Sequence, residues 1–244
     1  MNRIHFCTLV LFAGCGDAGS PGPSGAGAGA RFAVVRTDYE TTAIAALDAR
    51  GEVLSPAVLS SGSRPPGLVA PLSGDVVLGS ARRGAPHVVY VVDRLGTDVV
   101  TRLDLRDGAV LGQLRVAPGD FSTNPHDVVV VDERRAWVSR FAVNLDASAP
   151  PDERGSDVIE LDPSSMTRTG RRVDLSSFAA PVQTTGDDGP VEVLAHPRPS
   201  RMVLVGETLL VGLGRLSFGF DAAAPGQIAL VDLEGGAVAP VALP

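Results

Sequence analysis

The chain predicts an all-β fold, a β-propeller made of four-stranded antiparallel blades with about four blades present. Three observations predict it. A hairpin phrase recurs, in which an apolar run ends in Asp and a turn-rich link leads to a second run. The copies end at Asp48, Asp104, Asp162 and Asp232. Their spacing (48 to 104, 104 to 162, 162 to 232) is a near-regular period filled with strand residues, the signature of a radial or stacked β array. Composition agrees, since 28 Gly and 19 Pro with only 5% aromatics suit many short strands joined by turns. The runs also group in fours, the content of one blade.

In order, Phe32 to Arg36, Thr42 to Leu47 and Glu52 to Leu59 form a first unit with one strand too few. Ser61 to Pro71 is a Gly/Pro/Ser loop. Asp75 to Leu78, His87 to Val92, Asp98 to Leu105 and Ala109 to Val116 make a second unit. His126 to Val131, Ala136 to Phe141, Asp157 to Leu161 and Arg171 to Leu175 make a third, with a long polar loop from Asn144 to Gly155. Phe178 to Pro190 reads as a loop. Arg201 to Val205, Leu209 to Leu213, Gln227 to Val231 and Ala237 to Leu243 make the last. The units span approximately 31–62, 72–119, 124–178 and 190–244. Innermost strands should be apolar on both faces, as Val128 to Val131 is, because a neighbouring blade covers each side. The four repeated aspartates read as turn residues, capping hairpins before Gly51, Gly108, Gly170 and Gly235.

Residues 1–15 read as an export signal. Arg3 precedes a mostly apolar run, Ile4 to Ala13, too short to span a bilayer, and Gly14-Cys15 follows. Small residues before Cys15 resemble a bacterial lipobox, which makes Cys15 the lipidation site and a membrane the first expected partner. Phe12 stands where that pattern usually has an aliphatic or small residue. Residues 16–30, nearly all Gly, Ala, Ser and Pro, read as a disordered tether. The other cysteine, Cys7, lies inside the signal, so the mature body has no disulfide framework. The body, residues 31–244, carries the blades.

The phrases Asn124-Pro125-His126-Asp127-Val128, Ala136-Trp137-Val138-Ser139-Arg140, Asp157 to Pro163 and Arg201 to Val205 belong together. In this order the chain resembles bacterial (myxobacterial-type) surface lipoproteins of the YVTN-repeat β-propeller class, most clearly from Asn124 to Leu243. The resemblance implies an exported propeller at the cell envelope and no particular activity. Propellers of this class usually have about seven blades, so four units imply either an incomplete propeller or a small closed one.

The chemistry the residues can carry is limited. Net charge is −7, every basic residue is Arg, and no basic run occurs, which excludes a nucleic-acid footprint. His126 and Asp127, at the start of an innermost strand, are the candidate acid/base pair or metal ligand. Pro-His-Asp turn chemistry is the plainer account, because no third partner is in view. Asp146, Asp152 and Asp157 could offer oxygen ligands to Ca²⁺ in a flexible loop, but the Asp-x-Asp-x-Asp spacing is missing. No cofactor is expected. Gly186-Asp187-Asp188-Gly189 reads as a turn. The reading is a lipid-anchored binding or scaffold module for a protein or polysaccharide. The loops Asn144 to Gly155 and Phe178 to Pro190 are its best contact surfaces. The alternative is a propeller enzyme, lactonase-like or quinoprotein-like, with His126, Asp127 and Glu192 near the axis.

Overall fold

The computed structural model describes residues 29–80, 85–94 and 96–241. The signal, Cys15 and nearly all of the tether lie outside the described residues. The first sheet holds β1 (Phe32–Thr37), β2 (Thr42–Leu47) and β3 (Val53–Ser60). The second holds β4 (Val76–Leu78), β5 (Val88–Asp93), β6 (Val99–Asp104) and β7 (Val110–Arg115). The third holds β8 (Pro125–Val130), β9 (Ala136–Val143), β10 (Gly155–Asp162) and β11 (Thr167–Asp174). A separate hairpin, β12 (Ala180–Gly186) and β13 (Gly189–Ala195), precedes the last sheet. That sheet holds β14 (Pro199–Val205), β15 (Thr208–Leu213), β16 (Gln227–Asp232) and β17 (Val238–Pro240). Every pairing is antiparallel between neighbours in sequence, the meander of a propeller blade.

The sheets pack face to face, and side-chain alternation assigns each residue to one interface. Three apolar clusters result, one for each pair of consecutive sheets. Val35, Ile44 and Leu59 meet Val76, Val91 and Leu103 between the first and second. Tyr90, Val92 and Val100 meet Val128, Val138 and Leu161 between the second and third. Val129, Trp137 and Val158 meet Met202, Leu209 and Val231 between the third and fourth. Consecutive residues Val128 and Val129 thus serve two different interfaces, as the strand period of two requires. The approach is close: a Cβ at Gly79 would stand 2.4 Å from the Val128 side chain.

The repeated aspartates build the predicted turns. Asp48, Asp104, Asp162 and Asp232 each accept a hydrogen bond from the backbone N–H two residues on, at 2.8, 2.9, 2.8 and 3.0 Å. The residue that closes the turn in the left-handed region is Gly51, Gly108, Met166 or Gly236. The third and fourth copies therefore turn on Met166 and Gly236, where Gly170 and Gly235 were expected. Gly170 instead sits beside an irregularity in the β10–β11 register.

These turns also identify the missing strand. The aspartate follows the third strand in the complete sheets and follows β2 in the first. So β1 and β2 correspond to second and third strands, and the absent position is the innermost, beside β1. Among the described residues nothing pairs with that edge of β1.

Two expectations are corrected. Phe178 to Pro190 is not a loop: β12 and β13 pair over seven residues around the turn at Asp187-Asp188. The fourth sheet accordingly begins at Pro199, not Pro190. Innermost β14 alternates between buried and exposed positions, unlike β8, because only the third sheet covers it. Repeated polar contacts stitch each sheet to the next: Thr42 Oγ1 donates to Ser73 O at 2.7 Å, Asn124 N donates to Asp98 at 2.7 Å, and Arg198 N donates to Ser156 Oγ at 3.1 Å.

Candidate functional site

Antiparallel meanders put their links alternately at two ends, and the two ends differ. One end carries the Asp turns and short links such as Gly206-Glu207. The other carries most of the long connections, 61–75, 116–124, 144–154, 175–198 and 214–226, the link 79–87 between β4 and β5 being the exception. Length there is not needed to join strands, so this mouth is the candidate binding face.

A stack of rings and cations stands at that mouth. The His126 ring lies 4.1 Å from Phe141 at an interplanar angle of 7°. Phe141 lies 6.2 Å from Phe220, also at 7°. The Arg198 guanidinium lies over both phenyl rings, 5.3 Å from Phe141 and 4.8 Å from Phe220. Arg198 is 3% exposed, donates to the carbonyls of Ser217 and Phe218 at 3.2 Å, and leaves its Nε without a partner. Burial lowers its pKa, yet a guanidinium stays charged at neutral pH. Phe220 is 59% exposed and left-handed at φ 65°, an uncommon conformation for a bulky residue. Asn124 and Arg198 are also left-handed, at φ 48° and 52°, each just before the Pro that opens an innermost strand.

His126 and Asp127 are not brought together. Neighbours on a strand point to opposite faces, and each is committed separately. His126 stacks as described, and burial, then the nearby Arg94 cation, lowers its pKa to about 4, so it is neutral at physiological pH. Asp127 is fully buried and accepts from Ser80 N at 2.7 Å, Val128 N at 2.8 Å and Met202 N at 2.8 Å. It thereby ties the second, third and fourth sheets at the axis. Burial raises its pKa against the pull of those donors.

The acidic trio is dispersed as well. Asp146 caps its own loop through Ser148, and Asp152 stands 4.0 Å from Arg168. Asp157 is wholly buried, accepting from Arg140 at 2.8 and 2.7 Å and from Arg172 besides. A buried carboxylate already neutralised by two guanidiniums is a poor ligand for Ca²⁺, which those cations would repel. Among the described residues no three His, Cys, Asp or Glu side chains are placed to hold a metal ion. Glu192 lies exposed on β13, outside the innermost strands.

Beside the stack, a cavity of about 50 Å³ opens between β1 and β4, lined by Val35, Thr37, Tyr39, Val76, Leu78 and the Asp75–Arg94 ion pair. It borders the free edge of β1. Phe141, Phe220, Arg198 and Arg94 escape sequence reasoning because they come from three different sheets and their loops. The one legible signal is the paired Asn124-Pro125 and Arg198-Pro199 at equivalent positions.

No known protein family and no curated protein matches the chain. Among solved structures, it is similar to BamB from Moraxella catarrhalis, with 18% identity over 86% of this chain and a TM-score of 0.40. It is similar too to the dihydro-heme d1 dehydrogenase NirN in complex with DHE, with 15% identity over 86% and a TM-score of 0.39. The chain spans 48% and 43% of those two proteins, about half of each.

Proposed function

We propose that the protein is a non-enzymatic binding or scaffold module of the cell envelope, exported and anchored to a membrane through Cys15. Its partner, a protein or polysaccharide, would dock on the mouth bearing the His126–Phe141–Arg198–Phe220 stack. The observation that carries this reading is the concentration of long connections and exposed aromatic surface at one mouth. Aromatic faces flanked by guanidinium groups suit sugar rings and polypeptide side chains alike. Asp127, the carboxylate that an axial enzyme site would use, is instead occupied in holding neighbouring sheets together.

Two experiments test it. A photo-crosslinking residue placed at Phe220 in cells should capture an envelope component, whereas one placed at Glu234, on the opposite end, should not. Equal capture from both, or none from Phe220, overturns the docking mouth. Incorporation of a fatty-acid analogue should be lost in Cys15→Ala; unchanged labelling removes the anchor.

A further inference from the structure

The face of β14–β17 turned away from the third sheet is apolar, and among the described residues no sheet packs on it. Val203 and Val205 are 54% and 59% exposed, and Leu210, Ile228 and Leu230 beside them are half-buried. These residues hold defined places in the repeat. Val203 stands opposite Leu210 as Val129 stands opposite Trp137 in the third sheet. There Val129, Val131, Trp137 and Val158 are the residues buried against the fourth sheet.

The other end of the array is its complement. Phe32 opposite Leu47, and Val34 opposite Ala45, repeat Val89 opposite Leu103 and Val91 opposite Thr101 in the second sheet. Val89, Val91 and Leu103 are buried against the first sheet. The Asp turns fix this correspondence: Leu47, Leu103, Leu161 and Val231 each directly precede a turn aspartate. The last three are fully buried, and Leu47 is half-buried. The arginines on these two faces are drawn aside, Arg36 onto Pro56 O at 2.9 Å and Arg201 onto Leu78 O at 2.8 Å. One end therefore offers the face each sheet uses toward its successor, and the other end the face each uses toward its predecessor. The chain joins such faces three times within itself.

We propose that the two end faces meet between copies of this chain, the outer face of β14–β17 in one copy packing on the outer face of β1–β3 in a second. The contact is head to tail, so it uses two different patches and closes into a ring when the rotation permits. Two copies set eight sheets in succession, about the upper number for ring closure in propellers, and closure would give a dimer with two identical interfaces.

The test is complementation between blocked variants of the full chain, all carrying Cys15→Ala so that no lipid drives association. Val205→Glu blocks one face and Val34→Glu the other; Phe32→Glu replaces the second if circular dichroism shows that Val34→Glu fails to fold. The parent should sediment at twice the chain mass or a higher multiple. Each variant alone should sediment at the chain mass, and an equimolar mixture should return to twice that mass, because each supplies the face the other lacks. A monomeric parent overturns the proposal. So does a β1-face variant that still self-associates, which would mean that the β14 face pairs with itself, or a mixture that stays monomeric.

Discussion

Asp157 and Asp127 are buried carboxylates whose partners say what each will tolerate. Asp157 and Arg140 are both 0% exposed, so removing Asp157 leaves Arg140 as an uncompensated buried charge. Asp157→Ala should therefore lower the unfolding free energy by about 3–5 kcal/mol. Replacing both residues by apolar ones should cost much less; urea unfolding of the two variants checks the contrast. Asp127→Ala deprives the N–H groups of Ser80, Val128 and Met202 of their acceptor, and should cost about 2–4 kcal/mol. His126 predicts a pH dependence. Its folded pKa of about 4 lies below the unfolded value of about 6.5, so between these values the unfolded chain holds more protons. Stability should then be unaffected by this group above about pH 6.5 and should fall on acidification, by at most about 1.4 kcal/mol per pH unit. His126→Gln should reduce that slope, measured as the change in unfolding midpoint between neutral and acid pH. An identical slope in parent and variant would place the proton elsewhere.

At the scale of elements, what the sequence makes legible is what repeats. Strand positions, the short first sheet and the Asp turns all follow from local patterning that recurs with the period. The β12–β13 hairpin does not recur, and its residues mask it: Pro181 and Pro190 lie within it, and Thr, Gly and Asp fill the middle. Proline is tolerated there because the hairpin has only two strands, both of them edges. Among the described residues, its side-chain hydrogen bond to the rest of the mouth is Thr184 Oγ1 donating to Asp221 at 2.7 Å. Replacing residues 182–193 by a Gly-Ser link should therefore leave the unfolding midpoint less affected than Asp127→Ala does. It should nonetheless weaken crosslinking from Phe220, whose loop loses the Thr184 support. The stack itself was beyond sequence reading for a different reason. His126, Phe141, Arg198 and Phe220 come from β8, β9, the strand link before β14 and the loop after β15. Only the packing of sheets brings such distant positions to one mouth.

The whole molecule behaves as a line of sheets, each touching its neighbours through one apolar cluster, so cooperativity runs through those clusters. The third sheet is covered on both sides: β10 is buried along nearly its whole length. The fourth is covered on one side, and β14 alternates between buried and exposed positions. Unsupported faces open locally at lower free energy than supported ones. Native-state amide exchange should therefore be slowest in β9 and β10, and faster in β14–β17 and β1–β3, with the Val205→Glu variant used so that association does not cover the ends. The order matters more than the absolute rates. If the fourth sheet exchanges as slowly as the third in that variant, the end face is protected by something other than a neighbouring sheet. The succession of covered faces would then not be what holds the array together. If the ends exchange first and slow again in the associating parent, the same apolar pattern that orders sheets within one chain also orders them between chains.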